Sequence, residues 1–280
     1  MSNAALTVLH TSDYQCGAPF LPEAADAMHR VAASVAPDVV IASGDLTQRA
    51  KVREFDQARS VLERFGDVPL ILTPGNHDVP LYRFWERLVD PYRNWRKFSG
   101  EALDTVTRVS GATFVALNSS APRRAIVNGR IDEPQVEFAR RAFEGTPEGD
   151  LRVIVIHHHF VPVADGEGGR PLPRAAALAR AFQAMDVDVV LGGHVHQLHM
   201  RSSEELVGAV AERALPFLAT GTTTSRRGRG VEIGWNSLCV LRFEDSDVDV
   251  TPYRRRPDGQ AFEPLESLRW PLRRGAERVG

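Results

Sequence analysis

Five short apolar runs end abruptly in polar clusters, most of them glycine-containing: "ALTVLH" before "TSDYQCG", "DVVIAS" before "GDLTQ", "VPLILT" before "PGNHD", "LRVIVI" before "HHHF" and "VDVVL" before "GGHVH". Such runs, rich in Val and Ile and without period-two alternation, predict strands buried on both faces. Helical patterns lie between them: "PEAADAMHRVAASVA", "REFDQARSVLERFG", "EPQVEFARRAFEG" and "PRAAALARAFQAM". Alternation of strand and helix predicts largely parallel pairing through crossover connections. "TVTRVSGATFVALNS" predicts a hairpin turning near Gly111, and the chain becomes strand-rich again in "LPFLATGTT", "GWNSLCVLRFE" and "VDVTPYRRR". The stretch "LYRFWERLVDPYRNWRKF" has near-helical aromatic spacing, which predicts core packing, with a lid that stacks on a planar group as the alternative. No linker interrupts the 280 residues, so we expect one domain over 1–280, with a core over about 6–250 and an Arg- and Pro-rich surface extension over 254–280.

Composition narrows the function classes. Hydrophobic residues make up 43% of the chain, enough for a substantial core. With 34 Lys and Arg against 36 Asp and Glu the formal charge is −2, which argues against a surface built for nucleic acid. Two distant cysteines, Cys16 and Cys239, predict no disulfide framework and fit a cytoplasmic protein. No basic-then-apolar leader and no membrane-length apolar run stands in the sequence.

The polar residues are concentrated where the predicted strands end, the place where open α/β sheets bind ligands. Five ends deliver Asp13 with Gln15, Asp45, the trio Asn76, His77 and Asp78, the triplet His157 to His159, and His194 with His196. Carboxylate, amide oxygen and imidazole together suit Mn or Fe, or Zn, better than calcium. About eight candidate ligands are too many for one tetrahedral ion and enough for two divalent ions sharing a carboxylate. Each residue alone has an ordinary reading as a turn or capping residue. His10 reads as the structural end of its strand, and His29 and His199 as packing or surface residues.

The ordered series Asp-x-Gln, Gly-Asp, Gly-Asn-His-Asp, His-His and Gly-His-x-His resembles the calcineurin-like metallophosphoesterase family from about Leu6 to Phe243. "LNS", "GRI" and "TGTTTSRRGRG" resemble its class III cyclic-nucleotide phosphodiesterase branch. The resemblance implies a four-layer α/β/β/α sandwich with two central mixed sheets. It further implies that Asp13 and His196 hold a first metal, Asp45 bridges two, and Asn76, His157 and His194 complete the second. His77 matches the catalytic histidine. His158 stands as the alternative to His157, or as a residue on the substrate's side. Asp78 either orients His77 or caps a helix beginning near Pro80. Arg226, in "SRRGRG", is the candidate to hold substrate phosphate, against a solvated turn.

Gln15 departs from the family's usual histidine. Its amide oxygen is a weaker donor than imidazole, so it reads as a ligand of lower affinity, direct or through water. Asp-x-Gln resembles the branch of manganese-dependent ADP-ribose/CDP-alcohol pyrophosphatases. The expected function is therefore dinuclear phosphodiester hydrolysis of a small nucleotide or similar compound, through hydroxide attack in line with the leaving oxygen. The alternatives are a pyrophosphatase acting on a nucleotide diphosphate or lipid precursor, and an inert metal-binding scaffold. The sequence leaves a homo-oligomer open.

Overall fold

The computed structural model describes residues 5–109, 111–124, 127–163, 169–207, 214–244 and 247–272. Along the chain run β1 (Leu6–Thr11), α1 (Pro22–Val35), β2 (Val39–Ala42), α2 (Val52–Leu62), β3 (Leu70–Leu72), α3 (Phe84–Val89), α4 (Arg93–Ser99), β4 (Thr105–Val109) and β5 (Ala112–Ala116). They are followed by α5 (Glu133–Glu144), β6 (Leu151–Val155), α6 (Ala175–Gln183), β7 (Val189–Gly192), β8 (His199–Ser202), α7 (Glu204–Val207), β9 (Pro216–Ala219), β10 (Asn236–Phe243), β11 (Asp247–Arg255), β12 (Glu263–Pro264) and β13 (Leu268–Pro271).

Two mixed sheets form. The first has the order β12-β11-β10-β1-β2-β3, with β13 also on β11; the second has the order β4-β5-β6-β7-β9-β8. Neighbouring residues of one strand serve different layers. On β1, Leu6 and Val8 join a core shared with Phe114, Val153 and Leu191 of the second sheet. Leu9 faces the other way, towards Met28 of α1 and Phe55 of α2. The second sheet repeats this: Val115 and Ile154 face Val136 and Phe143 of α5 and Phe182 of α6. Both faces of each sheet are covered by apolar side chains, so continuous rather than alternating hydrophobic runs are required. The result is the expected four-layer α/β/β/α sandwich. The strands β1, β2 and β3 are mutually parallel, as are β5, β6, β7 and β9, so their carboxyl ends gather the polar loops together.

Two expectations change. The C-terminal stretch from Arg254 is largely exposed but is anchored to the first sheet as far as residue 272: β13 pairs with β11, and Leu272 is buried in the inter-sheet core with Trp270 against it. Residues 273–280 of that predicted extension lie outside the described residues. The aromatic stretch after Leu81 splits at Asp90 and Pro91 into two helices of opposite character. Trp95 of α4 is buried against Phe55, whereas α3 buries none of its residues. No helix among the described residues is long and apolar enough to cross a membrane.

Candidate metal centre

All five predicted strand ends converge. The loop after β1 carries Asp13 and Gln15, the loop after β2 carries Asp45, and the loop after β3 carries Asn76, His77 and Asp78. The loops after β6 and β7 bring His157 to His159 and His194 with His196. Asp13, Gln15, Asp45, His157, His158, His194 and His196 are buried. Nine non-glycine residues among those described have positive φ, and five of them are Asp13, Gln15, Asp45, His194 and His196. That left-handed region costs roughly 1–3 kcal/mol per residue, and such strain persists only where the surroundings over-determine the backbone.

The surroundings do so through interlocking loops. Asp13 Oδ2 accepts from Ser12 Oγ at 2.7 Å and from the His194 amide at 3.0 Å. Asp45 Oδ1 accepts from the His77 amide at 2.8 Å. Close approach demands glycine at two points. A Cβ on Gly75 would lie 2.1 Å from Asp45 Oδ1, and one on Gly193 would lie 1.8 Å from Ser12 Oγ.

What the interlocking leaves open is a set of donor atoms. Asp13 Oδ1, Asn76 Oδ1, His157 Nε2, His194 Nε2 and His196 Nδ1 are buried without a hydrogen-bond partner. Buried polar atoms are ordinarily satisfied, so five together need a partner that protein does not supply. The ligand atoms of Asp13, Asp45 and His196 lie within 4.8 Å of one another, and so do those of His157, His158 and His194. Asp45 stands between the groups, with Oδ1 3.4 Å from His157 Nε2. His157 Nδ1 meets the Ser43 carbonyl at 2.8 Å; donating there, it turns Nε2 towards Asp45. Burial disfavours a charged His157, but Asp45 and Asp13 outweigh it and push its pKa up to about 9. Burial pushes Asp13 up to about 6. Burial opposes ionisation of Asp45 as well, yet His157 and His77 hold it well below the usual carboxylate range. Two buried carboxylates among imidazoles thus form a pocket that attracts positive charge, and its donor set fits divalent cations.

His158 differs from His157. Its Nδ1 meets Ser119 Oγ at 2.7 Å and its Nε2 meets the Val127 carbonyl at 3.1 Å, so both ring nitrogens are engaged. His10, through Nε2 to Ser43 Oγ at 3.0 Å, supports the β1 end structurally. Asp78 neither orients the His77 ring nor caps a helix near Pro80. Its carboxylate accepts from the amides of Gly75, Leu46 and Thr47, tying the second and third loops together, and α3 begins only at Phe84. The His77 ring is oriented by the Gln48 carbonyl, 2.9 Å from Nδ1. Gln15 bridges two groups: Nε2 donates to Asp45 Oδ2 at 2.9 Å and Oε1 accepts from Arg227 Nη1 at 3.0 Å. A carboxylate only accepts and a guanidinium only donates, so these neighbours set the amide's orientation.

A cavity of about 480 Å³ opens over Asp45, Asn76 and His77. Arg87, Arg227 and Arg229 line it, and Arg227 also donates to His77 Nε2 at 3.1 Å. Arg226, the arginine singled out from the sequence, is exposed and is not part of the lining. Neighbouring residues of an extended loop point to opposite sides, and nothing in "SRRGRG" says which side faces inward.

Known proteins resemble this chain in sequence and in fold. The calcineurin-like phosphoesterase family matches over residues 6–198. A probable cyclic nucleotide phosphodiesterase of Rhodococcus erythropolis is 27% identical over 208 residues, covering 73% of this chain and 63% of the relative. A second, from a Synechococcus species, is 29% identical over 167 residues, covering 58% of each. The matches therefore span about three fifths of those relatives' length. Among solved structures, the purple acid phosphatase PPD1 of yellow lupin has a TM-score of 0.71 at 15% identity, over 95% of this chain and 54% of the other. A dimetal phosphatase of Danio rerio has a TM-score of 0.62 at 11% identity, over 94% of this chain and 98% of the other. At those identities the likeness is one of fold.

Proposed function

This chain belongs to the calcineurin-like phosphoesterase family, and within it we propose that it is a dinuclear, metal-dependent phosphodiesterase acting on a small nucleotide or similar diester. The observation that carries the reading is Asp45 standing between two groups of buried donors, five of whose atoms have no hydrogen-bond partner. Asp13, Asp45 and His196 would hold one cation, and Asp45, Asn76, His157 and His194 the other, with Mn or Fe, or Zn, suited to these donors. Bound cations supply charge neutralisation of the phosphoryl oxygens and a lowered pKa for water. The likeness to probable cyclic nucleotide phosphodiesterases supports a diester substrate.

The chain's own groups then divide the work. His77, held through Nδ1 by the Gln48 carbonyl, directs Nε2 into the cavity; that nitrogen accepts from Arg227, and on taking up a proton it can pass one to the leaving oxygen. Arg227 links Gln15 to His77 and so fixes a positive charge over the reacting phosphate. A second reading, cleavage of a P–O–P linkage, is favoured by the three arginines of the cavity, which exceed what one singly charged diester requires.

The test is hydrolysis by purified protein with Mn²⁺, comparing bis(4-nitrophenyl) phosphate, 4-nitrophenyl phosphate, cyclic AMP and ADP-ribose. Diester turnover well above monoester turnover, abolished by chelator, is expected. His77→Ala should lower it by about 10²–10⁴-fold while metal content stays near that of the parent. Cleavage confined to ADP-ribose would replace the diester reading by the pyrophosphatase one. Bound metal with no turnover of any of the four would leave a scaffold.

A further inference from the structure

The mouth of the cavity is apolar to a degree that the chemistry below it does not need. Eleven large hydrophobic side chains are exposed among the described residues, and six of them line this opening or stand on α3 beside the lining Arg87. Tyr82 and Val127 line it directly. Phe84, Trp85, Leu88 and Val89 stand on α3 around Arg87, which also lines it. Tyr82, Trp85 and Val89 are 76%, 74% and 73% exposed.

This rim is built, not frayed. An ordinary surface helix buries one face, whereas α3 buries none. It is pinned through its backbone instead. Arg123 donates to the carbonyls of Leu88 and Val89, each at 2.9 Å, and Arg87 donates to the Leu81 carbonyl at 2.7 Å. Arg83 donates to the Arg49 carbonyl at 2.7 Å, and the Arg49 guanidinium lies 4.3 Å from the centre of the Tyr82 ring. Four arginines thus hold a platform whose apolar side chains all point outward. Contiguous exposed apolar surface of more than a few hundred Å² is rare in proteins that need no partner for it.

We propose that the substrate is an amphiphile: a lipid phosphodiester taken at an anionic bilayer surface, with its headgroup in the arginine-lined cavity and its hydrocarbon part on the rim. The inference rests on the phosphodiesterase reading and supplies its substrate class. Size favours a lipid over a nucleobase, because one base stacks on one or two rings and leaves most of the rim uncovered. Charge favours an anionic membrane over a second copy of the chain. The acidic residues of the platform are already paired, Glu86 with Arg83 and Asp90 with Arg96, each at 2.8 Å. Across a two-fold axis the remaining arginines would face each other. Aromatic rings interspersed with arginines are the composition of a bilayer interface. In the reaction, the oxygen of water bonds to phosphorus and one P–O ester bond breaks. The released oxygen takes a proton, so the diester and water give a phosphate monoester and an alcohol.

The probes are phosphatidylglycerol in mixed phosphatidylcholine vesicles and its deacylated counterpart, glycerophosphoglycerol, each with full-length protein and Mn²⁺. The protein should sediment with vesicles that contain phosphatidylglycerol and not with phosphatidylcholine alone. Its kcat/KM should be about tenfold or more higher for the lipid than for the deacylated diester, since remote contacts contribute to turnover. In Trp85→Glu/Leu88→Glu that preference should fall by about tenfold and sedimentation should be lost, with circular dichroism unchanged. Trp85 also reports directly: its fluorescence should shift to the blue on vesicles, and Trp85→Phe should lack the shift. Equal turnover of the two diesters, or a double variant that still binds vesicles, overturns the inference. So does a concentration-dependent dimer dissolved by the double variant without vesicle binding. If bis(4-nitrophenyl) phosphate is hydrolysed and the acyl chains make no difference, this inference alone fails; if that ester is untouched, the phosphodiesterase reading fails first.

Discussion

The floor of the cavity and its rim follow opposite rules, although Asp78 and Tyr82 are only four residues apart. Asp78 is fully buried and Tyr82 is three-quarters exposed. On the floor the side chains of Asp13, Gln15, Asp45, His77, Asp78 and His157 are held by other loops, the backbone is strained at five positions, and glycines admit contacts that a methyl group would block. On the rim the backbone is held by arginine side chains, and the apolar side chains stay largely exposed to solvent. The comparison teaches where each property is stored. Strained, desolvated geometry belongs to the chemistry, because charges act strongly only in fixed positions away from water. The rim decides what reaches that chemistry and is free to vary at little cost to the fold.

The largest effect is expected at Asp45. Asp45→Asn keeps the shape and removes the charge between the two donor groups. We expect a loss on the order of 10²–10³-fold in kcat/KM, with metal content, measured by plasma mass spectrometry, falling too. Full metal content and full activity would show that the floor does not depend on that carboxylate.

A smaller effect is expected on acidification. Burial lowers the His10 pKa to about 3 from an ordinary value of 6.5. Between these values the unfolded chain binds a proton that the native chain refuses, so His10 contributes stability that is complete above pH 6.5 and is lost as pH falls. From pH 6.5 to pH 5 this amounts to about 2 kcal/mol. Urea unfolding in chelator should show the decline, and His10→Gln should flatten it; an unchanged slope would remove His10 as its source.

Gln15→His replaces the amide that links Asp45 to Arg227 by an imidazole. We expect Mn²⁺ to bind about tenfold tighter in titration calorimetry. An unchanged affinity would mean that the Gln15 position faces Arg227 rather than a cation whichever residue stands there. The smallest effect belongs to the rim. Trp85→Ser should change the unfolding free energy by no more than about 0.5 kcal/mol, because the side chain packs against little of the core. A loss well beyond that would show that α3 is part of the packed structure.

Much of this arrangement is legible in the sequence alone. Apolar runs ending in Asp-x-Gln, Gly-Asp, Gly-Asn-His-Asp, His-His and Gly-His-x-His led to strands, to their carboxyl ends and to one ligand cluster. The readings that failed or stayed open share a cause: each concerned which way a side chain or a segment turns. His157 and His158 are chemically alike, and only Ser119 and Val127 occupy one of them. Arg226 and Arg227 are adjacent, and only the loop's path decides which enters the cavity. The role of Asp78 became visible only once its amide donors, from a loop some thirty residues earlier, lay beside it. The segment from Arg254 looked like a polar tail because its strands lie at a sheet edge, where one side of the ladder needs no apolar pattern.

By itself the sequence determined the composition of the site and the layers that carry it, because hydrophobic period and strand-end chemistry are local properties of the chain. Only the tertiary structure decided which nitrogen of which histidine stays free, that Gln15 joins Asp45 to Arg227, and that α3 presents its apolar residues outward at the cavity mouth. Those are outcomes of long-range packing, in which partners distant along the chain compete for the same atom, and no local pattern records who wins.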